Sequence, residues 1–597
     1  MRAGLRRLLA TIERLGTGRA GLLRLAALVT VLLGSVAFQG FQVDDYWQRN
    51  YLLVSPRWPR VTGPWWTLFS FFDGDPARMA SYREDGAVAW WADDHARLSF
   101  FRPLSCLTHL VDYRLWPTTP GLMHLHSLAW YLALVLVAAL LYRRLLPPSL
   151  SALAALLYAV DHNHGGVAGW IANRNALVSA VFGLLALLFH DRASRGEARA
   201  RWLAAGCLGL GLLGGEGALG AVGYLAAHAL VLDARPWRER ARDLAPHALV
   251  LAPWVALYRL GGYGATGSGM YLDPGRSPLR VLRNVPEYAA LLVASEWGSV
   301  GPEAEILMPP AGRAALLVVA VLTVIVGLVA LAPLLRARPS TRFLLLGAIL
   351  SLLPGCATMP ATRLLLLPGL GLMGVVAEAL AELVAQTSAS APPRGLSRLS
   401  SLWFAIWVGC GHLVLSPLLI GPTAWQMVVF QDVITRLAGS FPPDDAALSS
   451  QRLVVVNTPD ATFAGYFQIL RDADRRSVAR GMLALTNGTR PSELRRVSDT
   501  VVEVRAPGGF YQWATDFLVR DPEVPMPVGT EVRLSDVTIE VVHTTDAGVP
   551  DVARLTFAAS VDDPRFRWAQ WANGKYVAFT VPAVGNSVTV AARSPGS

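Results

Sequence analysis

The chain has 597 residues, of which 53% are apolar and 16% charged, against about 25% charge in an ordinary soluble domain. That deficit excludes a soluble globular enzyme, a disordered chain and a coiled coil, and four cysteines exclude a disulfide scaffold. With 53 basic and 43 acidic residues the net charge is +10, so the placement of the charge decides between an anionic partner and a topology signal.

A membrane helix needs about 20 mostly apolar residues. The first candidate covers Leu22 to Phe41, preceded or entered by Arg2, Arg6, Arg7, Arg14, Arg19 and Arg24. By the positive-inside rule this N-terminus is cytoplasmic. Ser35-Val36-Ala37 has the small residues of a signal-peptidase site, but the long basic region favours a retained helix. Further apolar stretches lie near 122–142, 149–161, 176–190, 202–215, 217–232, 246–260, 312–335, 343–358, 362–386 and 401–420.

Arginine clusters separate these stretches: Arg143/Arg144, Arg192/Arg195/Arg199/Arg201, Arg235/Arg238/Arg240/Arg242, Arg336/Arg338/Arg342 and Arg394/Arg398. If each cluster is cytoplasmic, the stretches between clusters are hairpins that go out and return. The segment 202–232 then turns at Gly214-Gly215-Glu216-Gly217, with arms of about 15 residues, or roughly 22 Å. Such arms are short for a core of about 30 Å, so the tip sits below the outer surface and lines a cavity. The same logic places tips at Asp161–Asn175 and Met359–Arg363. The expected count is about 11 spans, with the C-terminus outside. The basic charge is then mostly topological, and nucleic acid is not an expected partner.

Two outer loops are large. The first, 42–120, is rich in interfacial aromatics (Trp47, Trp58, Trp65, Trp66, Trp90, Trp91 and Trp116). The second runs from about Gly261 to Ala311, with Gly261–Gly269 a flexible start. Residues 387–399 form a Pro/Ser linker. After 440 the pattern changes to period-2 alternation, as in Val537/Ile539/Val541 and Val577/Phe579/Val581. The expected organisation is a helical membrane domain over 1–440 and an extracytoplasmic α/β or mostly-β domain over 441–597.

The sharpest chemical feature is Asp44-Asp45, two adjacent carboxylates directly after the first span. They are either a helix end that has reached water, or a general base or divalent-cation ligand at head-group depth. Adjacent acids raise each other's pKa, which suits one of them as a base. A second constellation holds Arg102, His109, Asp112, His124 and His126; a third holds Asp161, His162, His164 and Arg174. His162 and His164 are either metal ligands or ordinary polar loop residues. Glu216 and Arg363 mark the remaining tips, and an arginine at a buried tip suits a lipid-linked phosphate or a structural ion pair. His228 and Glu378 lie inside spans with no partner evident from the sequence.

Several blocks in order resemble the GT-C superfamily of membrane glycosyltransferases, in the branch of the protein O-mannosyltransferases and the transmembrane TPR-containing O-mannosyltransferases. Asp44-Asp45 is similar to the acidic pair of the first outer loop. FRPLSCLTHLVDYRLW (Phe101–Trp116) is similar to that branch's Tyr-Arg-Pro-Leu block, and MHLHSL (Met123–Leu128) to the start of its second span. GWIANRNALVSAVFGLLAL (Gly169–Leu187) places Arg174 on the branch's arginine. GGEGALG (Gly214–Gly220) places Glu216 on its acid, and TRLLLLPGLG (Thr362–Gly371) places Arg363 on a further arginine. The resemblance covers roughly 20–390. The branch's glutamate after the third-block histidine is Gly165 or Gly166 here, its lysine before Glu216 is Gly215, and no TPR array follows.

The resemblance implies inverting transfer of a sugar from a polyprenyl-phosphate donor to a protein or glycan acceptor on the periplasmic side of a bacterial inner membrane. Asp44 or Asp45 would be the base, Arg363 and Arg174 the phosphate contacts, Arg102 a loop clamp that also borders the substrate, and Glu216 a substrate-side acid. His124, His126, His162 and His164 would line the polar cavity, and a divalent cation, with Asp44 and Asp45 as its ligands, is left open. The competing classes are a lipid-linked glycan flippase and a non-catalytic membrane assembly factor. Transporters usually carry internal repeats and mid-membrane charges. No repeat is evident here, and the polar residues gather at the outer tips, which favours the enzyme over the flippase.

Overall fold

The computed structural model describes residues 10–53, 63–298, 301–386 and 396–592. Arg2, Arg6, Arg7, Trp58, Arg394 and most of the linker 387–399 lie outside the described residues. The chain divides into two compact units. The first comprises Met1–Phe41, Phe100–Gly262 and Pro274–Met427; the second comprises Gln42–Ser99, Tyr263–Asp273 and Val428–Ser597.

The first unit is helical. Its described residues, together with the helix that runs on to Ala438, include seven helices long and apolar enough to cross a bilayer: Gly18–Phe38, Pro120–Leu145, Ile171–Ser194, Ala311–Ala337, Pro339–Ala357, Pro368–Ala385 and Leu402–Ala438. Three shorter apolar helices are Pro148–Ala159, Ala200–Gly214 and Glu216–Leu232. The eleventh apolar stretch ends the helix Trp237–Leu260, whose first turns carry Arg238, Arg240, Arg242 and Asp243. All eleven stretches are therefore helical, and seven have the length and apolarity of a span. The chain is an integral membrane protein.

Breaks in these helices are satisfied from within, as a bilayer demands. Where the chain turns into the helix Pro368–Gln386, three tyrosines on other helices donate to its carbonyls. Tyr158 donates to the Leu366 carbonyl at 2.6 Å, Tyr224 to Leu367 at 3.0 Å and Tyr142 to Leu370 at 2.5 Å. The Gly371 amide in turn donates to the Tyr224 hydroxyl at 2.8 Å. His228 and Glu378 both find partners. His228 Nε2 lies 3.5 Å from Asp191, and Glu378 accepts from Ser340 at 2.6 Å and from Thr341.

The helix Arg174–Ser194 orients the unit. Its 21 residues rise about 31 Å. Its last turns hold Asp191 among the arginines, with Arg144 at 2.5 Å and Arg195 at 3.1 Å. Nearby, Asp243 pairs with Arg201 at 3.3 Å and Arg235 at 2.9 Å. The hairpin tips gather at the other end.

The stretch 261–311 is more ordered than a loop. It contains the helix Pro278–Glu296, whose last turns are buried from Leu291 to Glu296. Arg280, Arg283, Pro286 and Glu287 interrupt its apolar run and conceal it in the sequence. The glycine-rich start, expected to be flexible, holds the short strand β3 defined below.

The second unit is built on three sheets. β1 (Ser70–Asp73), β2 (Arg97–Ser99) and β3 (Gly264–Thr266) form an antiparallel sheet in that order. β4 (Arg452–Asn457) and β5 (Gly481–Thr486) are parallel and flank the helix Ala461–Ala473. With β11 (Phe566–Ala572) and β12 (Lys575–Ala578) they form a sheet ordered β12-β11-β4-β5. The remaining strands are β6 (Ser492–Arg496), β7 (Val501–Arg505), β8 (Glu531–Arg533), β9 (Val537–Thr544), β10 (Pro550–Phe557) and β13 (Ser587–Val590). They make an antiparallel sheet ordered β13-β6-β7-β10-β9-β8. β9 alternates buried Val537, Ile539 and Val541 with partly exposed neighbours, the period-2 pattern of its sequence.

The second unit takes in Tyr263–Asp273 and the chain from Val428 as well as part of the first large loop. Most of the first large loop belongs with the C-terminal sheets. Asn50 donates to the Ile469 carbonyl at 3.0 Å, and Trp90 Nε1 donates to Leu485 at 3.3 Å. Trp90 also meets the Phe510 ring at 4.9 Å, and Arg452 pairs with Glu84. The tryptophans Trp90 and Trp91 are core residues, so their abundance reflects a packed interior as well as any interfacial role.

Candidate functional site

The first unit brings three tips together at one end. Arg102 precedes the helix Pro103–Leu115, its guanidinium 4.4 Å from the Phe100 ring centroid. Its Nε donates to Glu216 at 2.7 Å, with side-chain exposures of 17% and 22%. Glu216 also accepts from Tyr258 at 3.2 Å. With its amide oxygen turned toward Arg102, Asn175 accepts from Nη1 at 3.1 Å. Ser105 donates to the Gly214 carbonyl at 2.6 Å, fastening the helix after Arg102 to the glycine tip. The turn Glu216–Ala218 packs on Leu353–Ala357, and His162–His164 packs on Thr362–Leu364. Thr362 donates to Glu303 from its hydroxyl at 2.6 Å, which holds the tip bearing half-buried Arg363.

Arg174 sits in a buried ion pair. It is fully buried, and its guanidinium meets the equally buried Asp112 at 2.5 Å. Its Nε donates to Ser127 at 2.9 Å and its Nη2 to the Met123 carbonyl at 2.8 Å. Asp112 is shared with His126 Nδ1 at 2.7 Å. A buried charge must be paired and hydrogen-bonded, and this network ties Pro103–Leu115, Pro120–Leu145 and Arg174–Ser194 together. Arg174 is thus held in a structural tie.

The histidines separate. His124 is buried with Nε2 3.0 Å from the Gly40 carbonyl. His162 Nδ1 faces the Ser416 hydroxyl at 2.8 Å. His164 is fully buried beside Asp161 and Glu296, and one ligating atom from each of these three lies within 4.8 Å of the others. Among the described residues no other such group of three or more was found. Asp44 and Asp45 do not belong to it.

The acidic pair lies in the second unit, opening the helix Asp44–Leu53. Asp45 is fully buried, and its Oδ2 accepts the Gln42 amide at 2.8 Å, a capping interaction at its own helix start. Asp44 is half-buried and accepts the Tyr466 hydroxyl. Burial, and then the charge of Asp44, push that phenol well above its usual range. Tyr46 is pushed up to about 12 by burial and by Asp474 and Asp45. Val43, just before the pair, has φ +43°, an outlier for a β-branched residue. Its amide donates to Gln431 at 2.8 Å, which holds the conformation.

Sequence reasoning missed Glu296, Glu303, Tyr258 and Asn175. Glu296 and Glu303 sit in the stretch read as a loop, and no spacing links either to its partner more than 50 positions away. Tyr258 ends a helix taken only as a span.

No protein-family model matches the chain, and no curated protein matches it. Among solved structures it is similar to ArnT from Cupriavidus metallidurans bound to undecaprenyl phosphate. The identity is 12% and the TM-score 0.38, over 80% of this chain and 93% of that one. It is similar to the same protein in the apo state at 15% identity and TM-score 0.32, over 65% and 79% of the two chains. It is also similar to the Archaeoglobus fulgidus oligosaccharyltransferase tethered with an acceptor peptide containing the NVT sequon. There the identity is 11% and the TM-score 0.33, over 79% of this chain and 64% of that one. Likeness at these scores says nothing of chemistry.

Proposed function

We propose that the protein is a GT-C-type glycosyltransferase that moves a sugar from a polyprenyl-phosphate donor to a protein or glycan acceptor. The observation that carries this reading is the gathering of the polar tips at one end of the helical unit, away from the arginine-rich end. A guanidinium at such a tip suits the phosphate of a lipid-linked donor. Arg363 is assigned that contact, and the Arg102–Glu216 pair holds the tip beside it.

The acceptor hydroxyl attacks the anomeric carbon, its proton passes to a carboxylate, and polyprenyl phosphate leaves, so the anomeric configuration inverts. Asp44 is assigned as that base, because Asp45 is committed to its helix start. The arginine-rich end faces the cytoplasm in this reading, and transfer takes place on the periplasmic face.

The test is glycan and lipid-linked sugar analysis of a deletion strain. A missing glycan with accumulated donor on the outer leaflet supports the reading. Accumulation on the cytoplasmic leaflet alone points to a flippase, and unchanged glycans overturn the enzyme.

A further inference from the structure

Three elements of the first unit meet at a point that ordinary packing does not explain. Asp161 lies at the end of the hairpin arm Pro148–Ala159 and His164 in the turn after it, while Glu296 ends the helix Pro278–Glu296. The side chains of Asp161, His164 and Glu296 are all fully buried. Among the described residues no arginine pairs with either carboxylate, and His162 Nδ1 lies 3.8 Å from Asp161. Asp161 Oδ2, His164 Nε2 and Glu296 Oε1 each lack a hydrogen-bond partner. Two dry carboxylates side by side carry a large desolvation penalty, met only by a shared proton or a cation.

The surrounding bonds present the donor atoms that a cation needs. His164 Nδ1 lies 3.3 Å from the Tyr131 hydroxyl, which itself donates to the Ala159 carbonyl at 3.0 Å. The phenol proton is thus used, so Nδ1 carries a hydrogen and Nε2 presents its lone pair, the tautomer of a metal ligand with its outer nitrogen fixed. Asp161 Oδ1 accepts the Asn163 amide at 3.0 Å and Glu296 Oε2 accepts the Asn163 side chain at 3.3 Å, which orients both carboxylates. Gly369 keeps the space open. A Cβ there would lie 2.5 Å from Glu296 Oε1 and 3.3 Å from His164 Nε2.

We infer that Asp161, His164 and Glu296 form a buried site for one divalent transition-metal cation, with zinc the best match to one imidazole and two carboxylates. The cation balances the two carboxylates and pins the tip 161–164 to the end of the helix Pro278–Glu296. The site is distinct from Asp44 and Asp45 and does not depend on the transferase reading.

The test uses the full chain purified in detergent, loaded with zinc or manganese, desalted and measured by elemental analysis. Stoichiometric zinc is expected in the native chain. H164Q and E296Q, shown folded by gel filtration, are expected to lose most of it, and G369A to bind more weakly. Cobalt loading of the native chain should give a visible ligand-field band that H164Q abolishes. Native protein that retains no metal, or E296Q and H164Q that retain the native amount, overturns the site and leaves a shared proton as the explanation.

Discussion

Arg102 Nε donates to Glu216 at 2.7 Å, joining residues 114 positions apart at the entrance to two helices. The same guanidinium reaches Asn175 and lies against Phe100. The two residues therefore act as a unit. R102A and E216A should each lower thermal stability, and the double variant should fall short of the sum by about 1 kcal/mol. R102K should restore little, because an ammonium cannot hold Glu216 and Asn175 in one plane. A thermal-unfolding double-mutant cycle checks this; strict additivity contradicts it.

The Arg174–Asp112 pair is fully dry, so removing one partner strands the other. R174A should cost about 3–5 kcal/mol, and so should D112A. A well-packed apolar double replacement should recover much of the loss. Detergent-solubilised thermal unfolding measures it. An R174A variant of native stability that fails only in catalysis would contradict the structural role and favour a substrate contact.

Val43 stores strain at the residue before Asp44. Release from the left-handed region is worth about 1–2 kcal/mol to a glycine, which offsets the lost side-chain packing. V43G should therefore stay within about 1 kcal/mol of the native stability, whereas V36G, at a buried position of ordinary φ, should lose more. Paired unfolding measurements decide it.

Asp516 gives the second unit a pH dependence. Burial, and then the charge of Asp460, raise its pKa from 3.8 to about 7. Between these values the unfolded chain ionises Asp516 while the native chain keeps the proton. The native state thus binds more protons, and stability falls as pH rises from about 4 to about 7. Hydrogen-exchange protection of 512–516, corrected for intrinsic rates, should fall across that window and be flat in D516N. A rise in protection with pH contradicts the assignment.

Elements with a clean period were legible in the sequence. The helix Pro120–Leu145 and the strand Val537–Thr544 lie where hydropathy puts them. The three tips were legible from arginine placement. Their partners were not. Arg174 looks the same in the sequence whether it faces a phosphate or Asp112, because only the fold decides which carboxylate a guanidinium meets. Glu296 was hidden for a related reason. A ligand supplied by a helix interrupted by Pro286 and three charges leaves no spacing signal near Asp161 or His164. The first large loop was assigned to the membrane region because its tryptophans fit an interface as well as a core.

Sugar transfer through Asp44 is open to direct measurement. Its most direct test is transfer from a labelled polyprenyl-phosphate sugar in membranes carrying the native chain, D44N, D45N or the double variant, at matched protein levels. Transfer should fall by about 100-fold or more in D44N, as expected for a missing general base, with the same loss in the double variant. Full transfer in D44N, D45N and the double variant would contradict it.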